Sequence, residues 1–121
     1  MTSLLFFFLL TCKHAIADLV LQARLTNKGS KLDLRTSRLW IHCLDHAVLT
    51  FFVALVFVGI SKAIIISIID FTIHFIIDYG KTYMQKVNKV KYSDKKYWSY
   101  ATVDQILHYS TYFAIVLFAF H

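Results

Sequence analysis

An all-α integral membrane bundle of four transmembrane helices is the fold this sequence predicts, and three observations predict it. Hydrophobic residues make up 58% of 121 positions, proline is absent and mean hydropathy is +0.58, far from the balance of a soluble domain. Four apolar runs, each close to the roughly 20 residues a bilayer core requires, alternate with polar connections. Every run also carries ionisable side chains four residues apart, a spacing that stacks them on one helix face. The reading is a single transmembrane domain over residues 1–121, with helices at about 3–22, 39–60, 62–80 and 97–120.

The first run contains Leu4 to Leu10 and then His14, Asp18 and Gln22, again at intervals of four. Ala15-Ile16-Ala17 imitates a signal-peptide cleavage site, but no basic residue precedes the apolar stretch, so a retained helix is expected. Lys13 lies about 100° around the helix from that stripe and either snorkels or joins it. Residues 23–38 form a polar, basic loop containing Asn27, Gly29 and Ser30. Trp40 marks an interface and opens the second run, where His42 and His46 share a face with Asp45 beside them. Such a His-x-x-x-His pair can chelate a transition metal.

Gly59 to Lys62 makes a tight connection to the third run, whose stripe reads Asp70, His74, Asp78. The following block, 81–96, holds six lysines and is expected to extend the third helix along the membrane surface. The last run carries Asp104, Gln105 and His108 near its start. Ionisable groups inside a membrane span are costly and by default mark a functional site.

Net charge is +6, with thirteen Lys and Arg against seven acidic residues, all aspartate. Spread over a soluble surface this would suggest nucleic acid. Here the excess falls in loops 23–38 and 81–96, so the positive-inside rule explains it: both basic loops cytosolic, both termini outside. Membrane lipids are the expected partners and no nucleic acid is expected; self-association through a lipid-facing seam stays open. The expected location is a cytoplasmic (bacterial inner) membrane. Cys12 and Cys43 form no spacing motif and read as buried, inert thiols.

Counted from the basic ends, the four His/Asp groups fall at one depth in the cytosolic half. A single membrane His or Asp is usually a helix–helix hydrogen-bond partner. Four such groups at one level point to a shared centre. The expected ligands are His14, Asp18, His42, His46, His74, Asp78, Asp104 and His108. Gln22, Asp70 and Gln105 are expected to orient them from behind. Imidazole nitrogen with carboxylate oxygen suits zinc, manganese or iron, whereas calcium and magnesium prefer oxygen alone.

These residues also carry a family resemblance. His14-x-x-Ala17-Asp18-x-x-x-Gln22, then Lys28, then His42 to His46, then His74-x-x-Ile77-Asp78-x-x-Lys81, then Asp104-Gln105-x-x-His108 resembles a small family of bacterial and phage membrane proteins filed as domain of unknown function 3307. The resemblance covers nearly the whole chain and implies no established activity. It is distantly similar to membrane-bound metal-dependent hydrolases, which is analogy alone.

Three function classes follow. In a metal-dependent hydrolase of a lipid or lipid-linked substrate, the histidines hold a divalent metal and Asp18, Asp78 and Asp104 ligate, orient or act as general base. In a proton or metal-ion transporter or channel, Asp70, deeper than the other acids, starts a path outward, although the outer halves are apolar. In a non-enzymatic accessory protein the His/Asp centre is structural. Haem with two histidine ligands is a minor fourth reading that leaves the aspartates misplaced.

Overall fold

The structure, a computed structural model, describes residues 1–21 and 37–121; Gln22, Lys28 and the rest of the first basic loop through residue 36 lie outside the described residues. The chain forms α1 (Thr2–Ile16), which runs directly into a π-helical turn (Ala17–Leu21), then α2 (Ser37–Phe57), α3 (Ile60–Val87) and α4 (Lys95–Phe120). Four spans, α1 with its π turn and the other three helices, are long and apolar enough to cross a membrane. Among the described residues there is no strand. Packing of α1 against α2 and α4, of α2 against α3, and of α3 against α4 closes the helices into a bundle.

Each helix buries a stripe at three- and four-residue intervals, and each stripe changes character along its length. On α3 the buried residues are Ala63, Ile66, Asp70, His74 and Asp78, and on α4 they are Asp104, His108, Tyr112, Ile115, Val116 and Ala119. On α1 they run from Phe6 and Leu10 to Lys13 and His14. One end of the bundle therefore has an apolar core, with Phe6, Leu10, Ala54, Ala63, Ile66 and Ile115 in contact. At the other end the core is imidazole and carboxylate. The outward faces stay apolar, with Leu4, Phe52, Val56, Ile68 and Phe113 all exposed, as lipid-facing positions require. Trp40 packs at a tilt against Phe75 with ring centroids 4.6 Å apart.

The connections explain how four stripes meet. Only Val58 and Gly59 separate α2 from α3, so these helices are antiparallel neighbours. Lys62 Nζ donates to the Ala119 carbonyl at 2.8 Å, placing a cation at the carbonyl end of α4. The second basic block begins as helix: α3 continues through Lys81 and ends in a Schellman turn, with Val90 N–H donating to Gln85 O at 2.9 Å and Lys89 N–H to Lys86 O at 3.2 Å. Lys89 there has φ 50°, the left-handed region. Cys12 and Cys43 are free thiols, the first half-buried and the second buried.

Candidate metal centre

The polar end of the core is assembled from all four helices. α1 and its π turn supply His14 and Asp18, α2 supplies His42 and His46, α3 supplies His74 and Asp78, and α4 supplies Asp104 and His108. Seven of these eight are fully buried, Asp18 being the partly open one. Asp18 lies in the π turn that begins at Ala17, and such turns recur at functional sites. Here Asp18 Oδ2 lies 3.1 Å from His14 Nε2 while Oδ1 lies 3.0 Å from His46 Nε2 and 3.4 Å from His42 Nε2.

Asp78 occupies the equivalent position on the other side. Its Oδ2 lies 3.2 Å from His74 Nε2 and 3.4 Å from His42 Nε2, and its Oδ1 lies 3.1 Å from His108 Nε2. His108 Nε2 is also 3.5 Å from Asp104 Oδ1. His74 is the hub, with ring centroids 3.7 Å from His46 and 4.0 Å from His108.

These separations have a geometric meaning. A metal–ligand bond of about 2.1 Å puts adjacent donors roughly 3.0 Å apart in an octahedron and roughly 3.4 Å apart in a tetrahedron. The nitrogen–oxygen distances around Asp18 and Asp78 fall on that scale. Several of the close pairs are nevertheless not aligned as hydrogen bonds. Among the described residues, His14 Nε2, both nitrogens of His74, His42 Nδ1 and Asp104 Oδ1 are buried without a hydrogen-bond partner. Orphaned polar atoms at this density are costly. Donors this close together without bonding one another could hold an ion. Three groups have donor atoms within 4.8 Å of one another and can hold a metal: His14, Asp18, His46 and His74; His42, His74 and Asp78; and Asp78, Asp104 and His108.

Supporting contacts surround the donors. His14 Nδ1 is 2.8 Å from Tyr112 Oη, a bond that leaves Nε2 to face Asp18. Lys13 does not snorkel: its ammonium is buried, 2.8 Å from Asp70 Oδ2, 3.3 Å from His46 Nδ1 and 4.6 Å from the Tyr112 ring centroid. As Lys13 donates to Nδ1, His46 Nε2 carries the proton and donates to Asp18, so His46 is already partnered at both nitrogens. Thr50 Oγ1 donates to the same Asp70 oxygen at 2.6 Å. Asp70 is thus a layer below the imidazoles, bound to Lys13 and Thr50, and orients His46 only through Lys13. Gln105 Nε2 donates to Asp104 Oδ2 at 3.3 Å, and Lys81 Nζ lies 3.1 Å from the same oxygen and 3.9 Å from Asp78 Oδ1. Gln22 lies outside the described residues.

Of these supports Thr50 and Tyr112 escape a reading of the sequence. A lone threonine in an apolar run usually bonds its own backbone, and a lone tyrosine usually marks an interface. Tyr112 does fall four residues after His108, and that continuation of the stripe is the signal available. Lys81 shares that register with Asp78 at three residues, but it stands at a membrane edge, where a lysine needs no partner.

The sequence model of a family described as "Protein of unknown function (DUF3307)" matches residues 5–121. No curated protein and no solved structure matches the chain.

Proposed function

Since the chain belongs to the DUF3307 family, whose name carries no activity, we propose its function from the site: an integral membrane protein with a divalent transition-metal centre, acting as a metal-dependent hydrolase on a lipid or lipid-linked substrate at the cytosolic leaflet. One observation carries the metal reading. His74 is 1% exposed, sits between Asp78 and four other imidazoles, and among the described residues has no hydrogen-bond partner at either ring nitrogen. A buried imidazole with two idle nitrogens is destabilising unless something else occupies them. His14, His42, His74 and His108 hold the ion, with zinc, manganese or iron fitting the nitrogen–oxygen donor set. Asp18, Asp78 and Asp104 ligate or orient, and Asp18, the one of the three with the most solvent access at 26%, is the carboxylate that takes a proton from an attacking water. Bound metal supplies Lewis acidity and lowers the pKa of that water.

Hydrolysis is favoured over transport by what lies beneath the centre. Asp70, the group from which an outward path would start, is tied to Lys13 and Thr50, and beyond it the core is Leu10, Ala54, Ala63, Ile66 and Phe6. A dry apolar plug of that kind blocks ions more readily than it conducts them. The test is a panel of phospholipids in mixed micelles with protein loaded with zinc, manganese or iron, following release of water-soluble headgroup. Release is expected, falling about 10²- to 10⁴-fold per bound metal ion in Asp18→Asn. Metal-loaded protein that releases nothing, yet passes ions across liposomes, would overturn the hydrolase reading in favour of transport.

A further inference from the structure

We infer that the centre takes two divalent ions bridged by Asp78, and closes its charge with a phosphate-type dianion. This rests on the metal reading above and goes beyond it in nuclearity and in the class of ligand. Apart from His46, whose two nitrogens are already partnered, seven side chains contribute donors, more than the four to six one ion of this kind accepts. Of the three donor groups, the first (His14, Asp18, His46, His74) and the last (Asp78, Asp104, His108) share no residue. Each contains buried atoms with no hydrogen-bond partner: His14 Nε2 and His74 Nε2 in one, Asp104 Oδ1 in the other.

Asp78 faces both sides at once. Its Oδ2 approaches His74 and His42 at 3.2 and 3.4 Å, whereas its Oδ1 approaches His108 at 3.1 Å. A carboxylate whose two oxygens address different donor sets is the bridge of a two-metal site, whose ions lie about 3.5–4 Å apart.

Charge then specifies the ligand. Lys13 and Asp70 neutralise each other at 2.8 Å, and Asp18, Asp78 and Asp104 leave three negative charges against the single positive charge of Lys81. Two divalent ions turn that deficit into an excess of two positive charges, within a core of low dielectric where unpaired charge is not tolerated. A dianion restores balance. The side chains through which it enters are the two most open ones, Lys81 at 29% and Asp18 at 26% exposure, and the Lys81 ammonium is a phosphate-binding group on that path. A phosphomonoester has the required charge, whether it belongs to a lipid headgroup or to a free molecule.

The experiment uses the full chain in detergent, titrated with Mn²⁺ and read by elemental analysis and electron paramagnetic resonance. Two ions per chain with an exchange-coupled signal are expected, and inorganic phosphate should tighten the second ion by about tenfold or more. Short-chain phosphatidic acid runs in parallel: acting at lower concentration than phosphate, it identifies a lipid headgroup as the source, and acting equally, a free phosphate. Asp78→Asn should abolish coupling. Because that variant disturbs the middle of the core, Asp104→Asn is the second arm and should lose one ion while keeping the other. A single isolated-ion signal in wild type, unchanged by phosphate, would overturn the two-ion inference and leave the metal reading intact. Absence of any manganese, zinc or iron binding would overturn both.

Discussion

His74 shows most directly how one side chain is constrained by its surroundings. Its ring lies between those of His46 and His108, and its Nε2 is 3.2 Å from an Asp78 oxygen without forming a hydrogen bond. A metal ligand must present a neutral imidazole, so protons compete with the ion as pH falls below the ordinary histidine value of about 6.5. Metal affinity should therefore fall as pH is lowered, which a competitive chelator titration at pH 8, 7, 6 and 5 checks. The Lys13–Asp70 pair obeys a different rule. With both side chains almost fully buried, removing one partner strands the other charge, at a cost of about 3–5 kcal/mol. Lys13→Met should therefore destabilise the protein by about that amount, and Lys13→Met with Asp70→Leu by clearly less. Unfolding in mixed micelles of both variants measures the difference; equal losses would mean that the pair contributes no coupling.

At the scale of elements, the stripes were legible because apolar runs make a polar residue conspicuous and a spacing of four makes it directional. His14 with Asp18, His74 with Asp78, and Asp104 with His108 show both features, and the structure brings all of them together. Thr50, Tyr112 and the inward turn of Lys13 were less legible, since each depends on a neighbour contributed by another helix. The π turn was not legible either, since nothing in Ala17–Leu21 demands it. The end of α3 offers a local test. Lys89 holds φ 50° in the Schellman turn, a position at which glycine avoids the Cβ penalty. Lys89→Gly should stabilise the protein by about 1 kcal/mol, the order of the left-handed penalty for an L-residue. A thermal melt in detergent detects this as a raised midpoint, and a lowered one would show that the lysine side chain contributes more than its backbone costs.

Over the whole molecule, the division of the core into an apolar end and a His/Asp end gives the bundle a direction. Met1, the α2–α3 turn and His121 lie at the apolar end, and the second basic block lies at the other. The orientation proposed from the positive-inside rule turns the polar end toward the cytosol, and it is testable. A cysteine introduced at Ser93 should thus react with a membrane-impermeant maleimide only after the membrane is opened, and one at Thr2 should react in intact cells. On the proposed orientation the centre would be within reach of cytosolic metal and of inner-leaflet headgroups. The claim that metal organises this half of the bundle is tested most directly by elemental analysis of purified wild type beside His74→Ala, with the melting temperature of each. Wild type should carry zinc, manganese or iron in stoichiometric amount, and His74→Ala should lose metal and melt lower, because a nitrogen ligand is gone and buried carboxylates are left without a cation. Full metal content and an unchanged melting temperature in His74→Ala would contradict it, and the centre would then be a structural network of histidine and aspartate.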